Sequence, residues 1–272
     1  MAIRRLLRGS LSEAELEAVA RAAAKRQGQP FESVETLDAD NWLSTPAVVN
    51  KTLFVKVIST QNTLVQGLLT AGRNLGLVSS GTEPFFERFN SPVAMAEHEL
   101  DATREMRALG VNVPRPIEAF EHDGYGVLVL EYLPSFETLD SLDTERARRV
   151  TPTLFRALAR MHEAGLAHGD LRGENVLVAD GDLYFIDATN VREEAIGEAR
   201  AYDVACALAA LEPVVGASAA VAAAAGQYPD DVLLDAERYL DFVNLRPDHT
   251  FDVRELRSEI EKAVQSGPDT SG

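Results

Sequence analysis

The residues with the most chemical potential sit close together in the second half of the chain. They are the run His168-Gly169-Asp170-Leu171-Arg172-Gly173-Glu174-Asn175-Val176-Leu177-Val178, followed by Tyr184-Phe185-Ile186-Asp187-Ala188. Phosphoryl transfer from ATP calls for three oxygen-bearing side chains: one to orient the acceptor hydroxyl and two to hold Mg²⁺ on the phosphates. Asp170 and Asn175 on one tight loop, then Asp187 at the end of an apolar run, supply that set. Asp170 is assigned to the hydroxyl, Asn175 to the metal as a neutral amide oxygen, and Asp187 to the metal as a charged one. With an unperturbed pKa of ~3.9, Asp170 is a weak base, so its part is chiefly orientation. Arg172 either steadies the γ-phosphate or pairs with Glu174. His168 is expected to orient the loop and His162 to be structural, since neither belongs to a zinc-type pattern.

A second constellation lies upstream. Lys56 interrupts the apolar run Leu53-Phe54-Val55-Lys56-Val57-Ile58 in a chain with only four lysines, the others being Lys25, Lys51 and Lys262. Glu99 falls on the apolar stripe Met95, Ala102, Met106 and Leu109 of a helix expected over about 93–109. A carboxylate on such a stripe is costly unless a cation meets it. Lys56 is the expected mate, forming the pair that holds α- and β-phosphates in kinases. The alternative is an edge-strand Lys and a half-exposed helix Glu, and Lys51 is the weaker rival because it sits in a turn. Asp203, on a face of small residues with Cys206, Ala207 and Ala210, is expected to accept backbone N–H groups of the catalytic loop. Cys206 reads as a core residue.

These side chains need elements to position them. Ser12-Glu13-Ala14-Glu15 is a capping box opening a helix toward Gln27. Strands are expected at Val48-Val49 and over 53–58, with a turn at Asn50-Lys51, then a helix over 64–75. Two further strands follow around 117–120 and 127–130. After Leu133-Pro134 the pattern is mostly helical, apart from strands over 176–178 and 183–186. The segment from Ser79 to Pro92, with Phe85, Phe86 and Phe89, is expected to be either a mobile flap or permanent core of the first lobe.

Composition bounds the class. At 272 residues with 46% hydrophobic residues, the chain can bury a substantial core. No stretch is long and apolar enough to span a bilayer, the first residues lack the apolar core of a signal peptide, and the one cysteine excludes an internal disulfide. A cytoplasmic location is expected. The net charge of −17, with lysine depleted, suits a halophilic cytoplasm, where repulsion is screened within ~3 Å at 1 M salt. Direct nucleic-acid binding is not expected, since no broad basic face is visible.

With these residues in view, the chain resembles the atypical protein kinases of the RIO type, over roughly Trp42 to Leu211. Ala96-Glu97-His98-Glu99-Leu100 resembles their Ala-Glu-Lys-Glu-Met helix start. His168-Gly169-Asp170-Leu171 and Phe185-Ile186-Asp187 are similar to their catalytic and metal motifs, and a long insertion separates Lys56 from Glu99. Ser44-Thr45 resembles their Ser-Thr-Gly loop, with Pro46 in place of Gly; the hydroxyls of Ser44 and Thr45 would then stand in for glycine-loop amides on the phosphates. The Glu131 C=O and the Leu133 N–H fall where such a kinase has its hinge, and would take adenine. The resemblance implies ATP and Mg²⁺ as cofactors, and action on serine or as an ATPase in ribosome maturation, in some members through a phospho-Asp, which here would be Asp187. Aminoglycoside-type phosphotransferases, lipopolysaccharide-core sugar kinases and the small archaeal kinase of the tRNA threonylcarbamoylation complex share the motif.

The expected fold is α+β: a bilobal protein-kinase-like fold with a small β-rich N-lobe, a mostly helical C-lobe and an extra N-terminal helix. Its parts are an extension at 1–30, an N-lobe at 31–133 with an insertion at 59–92, a C-lobe at 134–265 and a disordered tail at 266–272. The expected function is ATP–Mg²⁺-dependent phosphotransfer to protein Ser/Thr, or ATPase action. The alternatives are a small-molecule phosphotransferase and a nucleotide-binding pseudokinase scaffold. The phosphoacceptor, protein or small molecule, is open.

Overall fold

Leu53, Val55 and Val57 alternate with Phe54, Lys56 and Ile58 along one strand, and the period of two sends each set to an opposite face of a sheet. Both faces are covered, which explains why the strand reads as an almost unbroken apolar run. In the computed structural model, which describes residues 11–37, 44–63, 89–188, 196–245 and 250–266, the chain divides into two units. The first comprises Met1–Leu75, Glu87–Arg107 and Val113–Pro134; the second comprises Gly76–Phe86, Ala108–Asn112 and Ser135–Gly272. The expected helix over 64–75, the flap residues Phe85 and Phe86, and the tail beyond Ser266 lie outside the described residues.

The first unit opens with α1 (Glu13–Arg26), then β1 (Val34–Thr36), β2 (Thr45–Val49), β3 (Leu53–Ile58), α2 (Pro92–Ala108), β4 (Pro116–His122) and β5 (Tyr125–Glu131). The five strands form one antiparallel sheet in the order β1-β2-β3-β5-β4. α1 starts with the capping box read from the sequence: Glu15 N donates to Ser12 Oγ at 3.3 Å and Ser12 N to Glu15 Oε2 at 2.8 Å. Its Leu16, Val19, Ala20, Ala23 and Ala24 pack on one sheet face with Val55, Val57, Val127 and Val129. On the opposite face α2 sets Met95, Ala96 and Leu100 against Ile58, Leu128 and Leu130. Phe89 packs on this same cluster and lies 5.2 Å, centroid to centroid, from the ring of His98. Of the three aromatics in its segment, Phe89 is thus core. β1 has no counterpart in the sequence reading, because three residues of which only one is apolar carry no periodicity to detect.

The β2–β3 hairpin turns at Asn50 and Lys51, both with positive φ (52° and 56°). Asn50 tolerates this region and its Oδ1 accepts the Glu32 N–H at 2.8 Å, so the turn also ties down the chain leading into β1. Gly126 in β5 answers a different need. A Cβ there would fall 2.0 Å from the Pro92 carbonyl oxygen, so only a glycine lets the first turn of α2 lie against the strand.

The second unit contains β6 (Glu137–Thr138), α3 (Thr144–Glu163), β7 (Val176–Ala179), β8 (Asp182–Phe185), α4 (Ile196–Val215), α5 (Ala217–Ala225), α6 (Asp230–Glu237), α7 (Leu240–Asn244) and α8 (Val253–Gln265). β6, β7 and β8 form a small antiparallel sheet. α4 is buried nearly all round, which accounts for its small residues, Cys206 among them. Among the described residues no helix is long and apolar enough to cross a membrane.

Candidate functional site

In the first unit, the side-chain alternation of β3 sends Lys56 to the face that α2 covers. Its Nζ lies 2.9 and 2.8 Å from the two oxygens of Glu99. Both residues are buried. Of the first unit's lysines this is the one that meets Glu99; Lys51 is exposed in its turn. Thr103, one turn on, donates to the Glu99 carbonyl at 2.7 Å. Ser44, just before β2, is buried and its Oγ has no hydrogen-bond partner; Thr45 is half-buried at the start of the strand. At the far end of β5, the Tyr132 N–H is taken by the Thr52 C=O at 3.0 Å, and the Glu131 side chain accepts the Arg115 N–H at 2.8 Å. Leu133 follows outside the strand, half-buried.

In the second unit, the loop between α3 and β7 is held from four sides. The buried Asp203 carboxylate of α4 accepts the His168 N–H at 2.5 Å and the Gly169 N–H at 2.8 Å. Asn175 Nδ2 donates to the Asp170 carbonyl at 2.8 Å, which turns Oδ1 the other way. The Ile186 N–H bonds the Asn175 carbonyl at 3.0 Å, and the Ile186 carbonyl accepts from His168 Nε2, also at 3.0 Å. Ile186 is therefore pinned on both sides, and the next residue, Asp187, has a φ of 59°. Such a conformation costs most L-residues about 1–2 kcal/mol, and Asp tolerates it better than most. Asp170, Asn175 and Asp187 are thus brought to one network of the unit's backbone.

His168 is fully buried, with Nδ1 lacking a partner. Burial pulls its pKa below the usual imidazole value, against the opposing pull of Asp203, Asp170 and Asp187. A neutral ring with its proton on Nε2 fits its bond to the Ile186 carbonyl. Arg172 Nε lies 3.4 Å from Asp170 Oδ2, and its NH1 is bonded to Glu174 Oε1. The guanidinium therefore bridges the two carboxylates that flank it. Gly173 packs so tightly that a Cβ would come within 2.8 Å of the Asp140 Cβ.

Residues 88–205 match the family of the RIO domain. The matched segment is similar to a RIO domain and covers less than half of the chain. Glu99, Asp170, Arg172, Asn175, Asp187 and Asp203 fall inside it; Lys56, Ser44 and Thr45 precede it. The chain is similar to the KEOPS complex subunit Bud32 of Pyrococcus abyssi, at 36% identity over 88 residues, covering 31% of this chain and 39% of that protein. It is also similar to the RIO-type serine/threonine-protein kinase Rio1 of Haloferax volcanii, at 34% identity over 88 residues, covering 31% of this chain and 29% of that one. The matched segment therefore spans well under half of either relative. Among solved structures, an aminoglycoside-3'-phosphotransferase of type VIII aligns with a TM-score of 0.47 at 16% identity, over 83% of this chain and 98% of that one. The described residues form an α+β architecture, with a β-sheet unit and a mostly helical unit, as expected from the sequence.

Three features of the matched segment and its surroundings escaped the sequence reading. Gly126 did leave a signal, an isolated glycine inside a strand pattern, which marks close backbone approach. The positive φ of Asp187 left none. Nor did Tyr228, which lies far along the chain and whose hydroxyl is 2.8 Å from His162 Nδ1.

Proposed function

We propose that this chain is an ATP–Mg²⁺-dependent phosphotransferase of RIO type that acts on protein Ser/Thr or turns over ATP as an ATPase. The observation that carries this reading is the pinned loop: one network fixes the backbone of Asp170, Asn175 and Asp187 through Asn175 Nδ2, Ile186 and His168. In this role Asp170 orients the acceptor hydroxyl, and Asn175 and Asp187 hold Mg²⁺. The donor set fits the metal. Mg²⁺ takes hard oxygen ligands, keeps several waters and relies on one or two protein ligands plus phosphates.

Lys56, fixed by Glu99, is assigned to the α- and β-phosphates. The buried Ser44 hydroxyl, lacking a partner, fits a donor to a phosphate oxygen, with Thr45 beside it. The backbone at Glu131 and Leu133 is assigned to adenine. Arg172 is assigned to the γ-phosphate, a role in which it would exchange Glu174 for the nucleotide. Bound Mg²⁺ would supply charge neutralisation at the phosphates. The relative named as a complex subunit supports a protein partner for this chain.

The deciding experiment is ATP turnover by the purified chain in high salt with and without Mg²⁺, followed by mass analysis for phosphorylated residues. Mg²⁺-dependent turnover is expected. Nucleotide binding that is indifferent to Mg²⁺, with no turnover, would replace this reading by that of a pseudokinase scaffold.

A further inference from the structure

Asp203 serves the catalytic loop with both oxygens, yet it has a third partner. His162 Nε2, at the end of α3, lies 3.2 Å from Asp203 Oδ2. The other ring nitrogen, Nδ1, lies 2.8 Å from the hydroxyl of Tyr228. Tyr228 sits between α5 and α6, its N–H on the Ala224 carbonyl at 2.9 Å and its ring edge-on to Phe155. All three side chains are buried. The line Tyr228–His162–Asp203 thus runs from the α5–α6 corner to the amides of His168 and Gly169.

The chemistry sets a direction along this line. A carboxylate only accepts hydrogen bonds, so the His162 nitrogen facing it must carry the proton. A neutral imidazole has one N–H, and which nitrogen bears it follows from the bond the other makes. We propose that Tyr228 is a positioning residue for the catalytic loop: its O–H, donated to His162 Nδ1, holds the ring proton on Nε2, so that Asp203 is fixed in the rotamer that serves the His168 and Gly169 amides. Burial, reinforced by the Asp203 charge, pushes the phenol well above its ordinary pKa, which keeps the hydroxyl a donor. Without that donor, His162 can move its proton to Nδ1 and present a lone pair to the carboxylate. Asp203 then turns or recruits water, and the two loop amides lose their acceptor. The consequence for turnover rests on the reading of Asp170 under Proposed function; the consequence for the loop does not.

Tyr228→Phe keeps the ring and its packing and removes the donor. Long-range ¹H–¹⁵N spectra of histidine-labelled full-length protein report the tautomer of His162, and amide exchange reports the hold on His168 and Gly169. The wild-type ring is expected to be protonated on Nε2. In the variant the Nδ1-protonated form should appear, and exchange of the two amides should quicken by about tenfold, while core amides of α4 are unchanged. In His162→Gln, whose amide donates to Asp203 with no tautomer to choose, adding Tyr228→Phe should change exchange no further. A wild-type ring protonated on Nδ1 overturns the proposal whether or not the variant folds. So does a variant with unaltered tautomer and exchange, or an additive effect in the double variant. The proposal predicts a fall in kcat with KM for ATP unchanged. Quickened exchange in a chain that never turns over ATP would uphold the positioning role and sink the kinase reading alone.

Discussion

Lys56 and Glu99, 43 positions apart in the sequence, meet in a two-pronged ion pair with both side chains buried. Removing one partner takes this two-pronged contact from the other. Lys56→Ala leaves a buried carboxylate and should destabilise the chain by about 3–5 kcal/mol, whereas Lys56→Met combined with Glu99→Leu should recover most of that loss. Urea unfolding in high salt measures both. If the pair serves nucleotide, the double variant folds but binds ATP at least tenfold more weakly; unchanged affinity would leave the pair purely structural.

Gly126 governs whether α2 can bring Glu99 to that pair. Gly126→Ala places a methyl where the Pro92 carbonyl stands, so the first turn of α2 must move. Overpacking of this kind costs about 1–3 kcal/mol. The expected result is a lower Tm together with faster amide exchange at the start of α2. A variant with wild-type Tm and exchange would show that the helix end yields freely.

Asp187→Asn separates charge from backbone strain. Asn tolerates the left-handed φ as well as Asp does, so the fold should persist. If Asp187 holds Mg²⁺ as proposed, its charge is lost and any Mg²⁺-dependent gain in ATP affinity should disappear. Asn175→Ala should weaken that gain less as a ligand change, but it also removes the bond to the Asp170 carbonyl, so it should loosen the loop as well. Calorimetric ATP titrations with and without Mg²⁺ distinguish the two. Wild-type Mg²⁺ dependence in Asp187→Asn would remove Asp187 from the metal.

His98 introduces a pH dependence. Its Nε2 is buried without a hydrogen-bond partner, and burial depresses its pKa, with the Asp101 charge opposing. The unfolded chain therefore binds a proton that the folded chain resists. The stability linked to His98 is present above the unfolded imidazole pKa, ~6.5, and is lost as pH falls through it. Unfolding free energy should drop between pH 7.5 and 5.5, and His98→Phe, which keeps a ring against Phe89, should flatten that slope. Equal slopes in the two proteins would discount His98.

The sequence by itself determined the elements whose signal is local. A capping box at Ser12 and Glu15, the apolar runs of β3 and β5, and the stripe of α2 each follow from a period or a pair of neighbouring residues, and the structure forms each of them. The types and spacing of Asp170, Asn175 and Asp187 point to the chemistry proposed above, because phosphate and Mg²⁺ demand oxygen donors. Even the meeting of Lys56 and Glu99 was legible, since a buried charge on an apolar face requires a counter-charge and few lysines were available. Tertiary structure alone decided the rest. Gly126 acquires its meaning only when α2 lies on β5. Asp187 takes a left-handed φ because Ile186 is held between Asn175 and His168. Tyr228 reaches the loop only through the packing of α3, α4 and the α5–α6 corner. Each of these rests on contacts between residues with no periodic relation in sequence, and a hydrogen-bond relay leaves no pattern in composition or spacing.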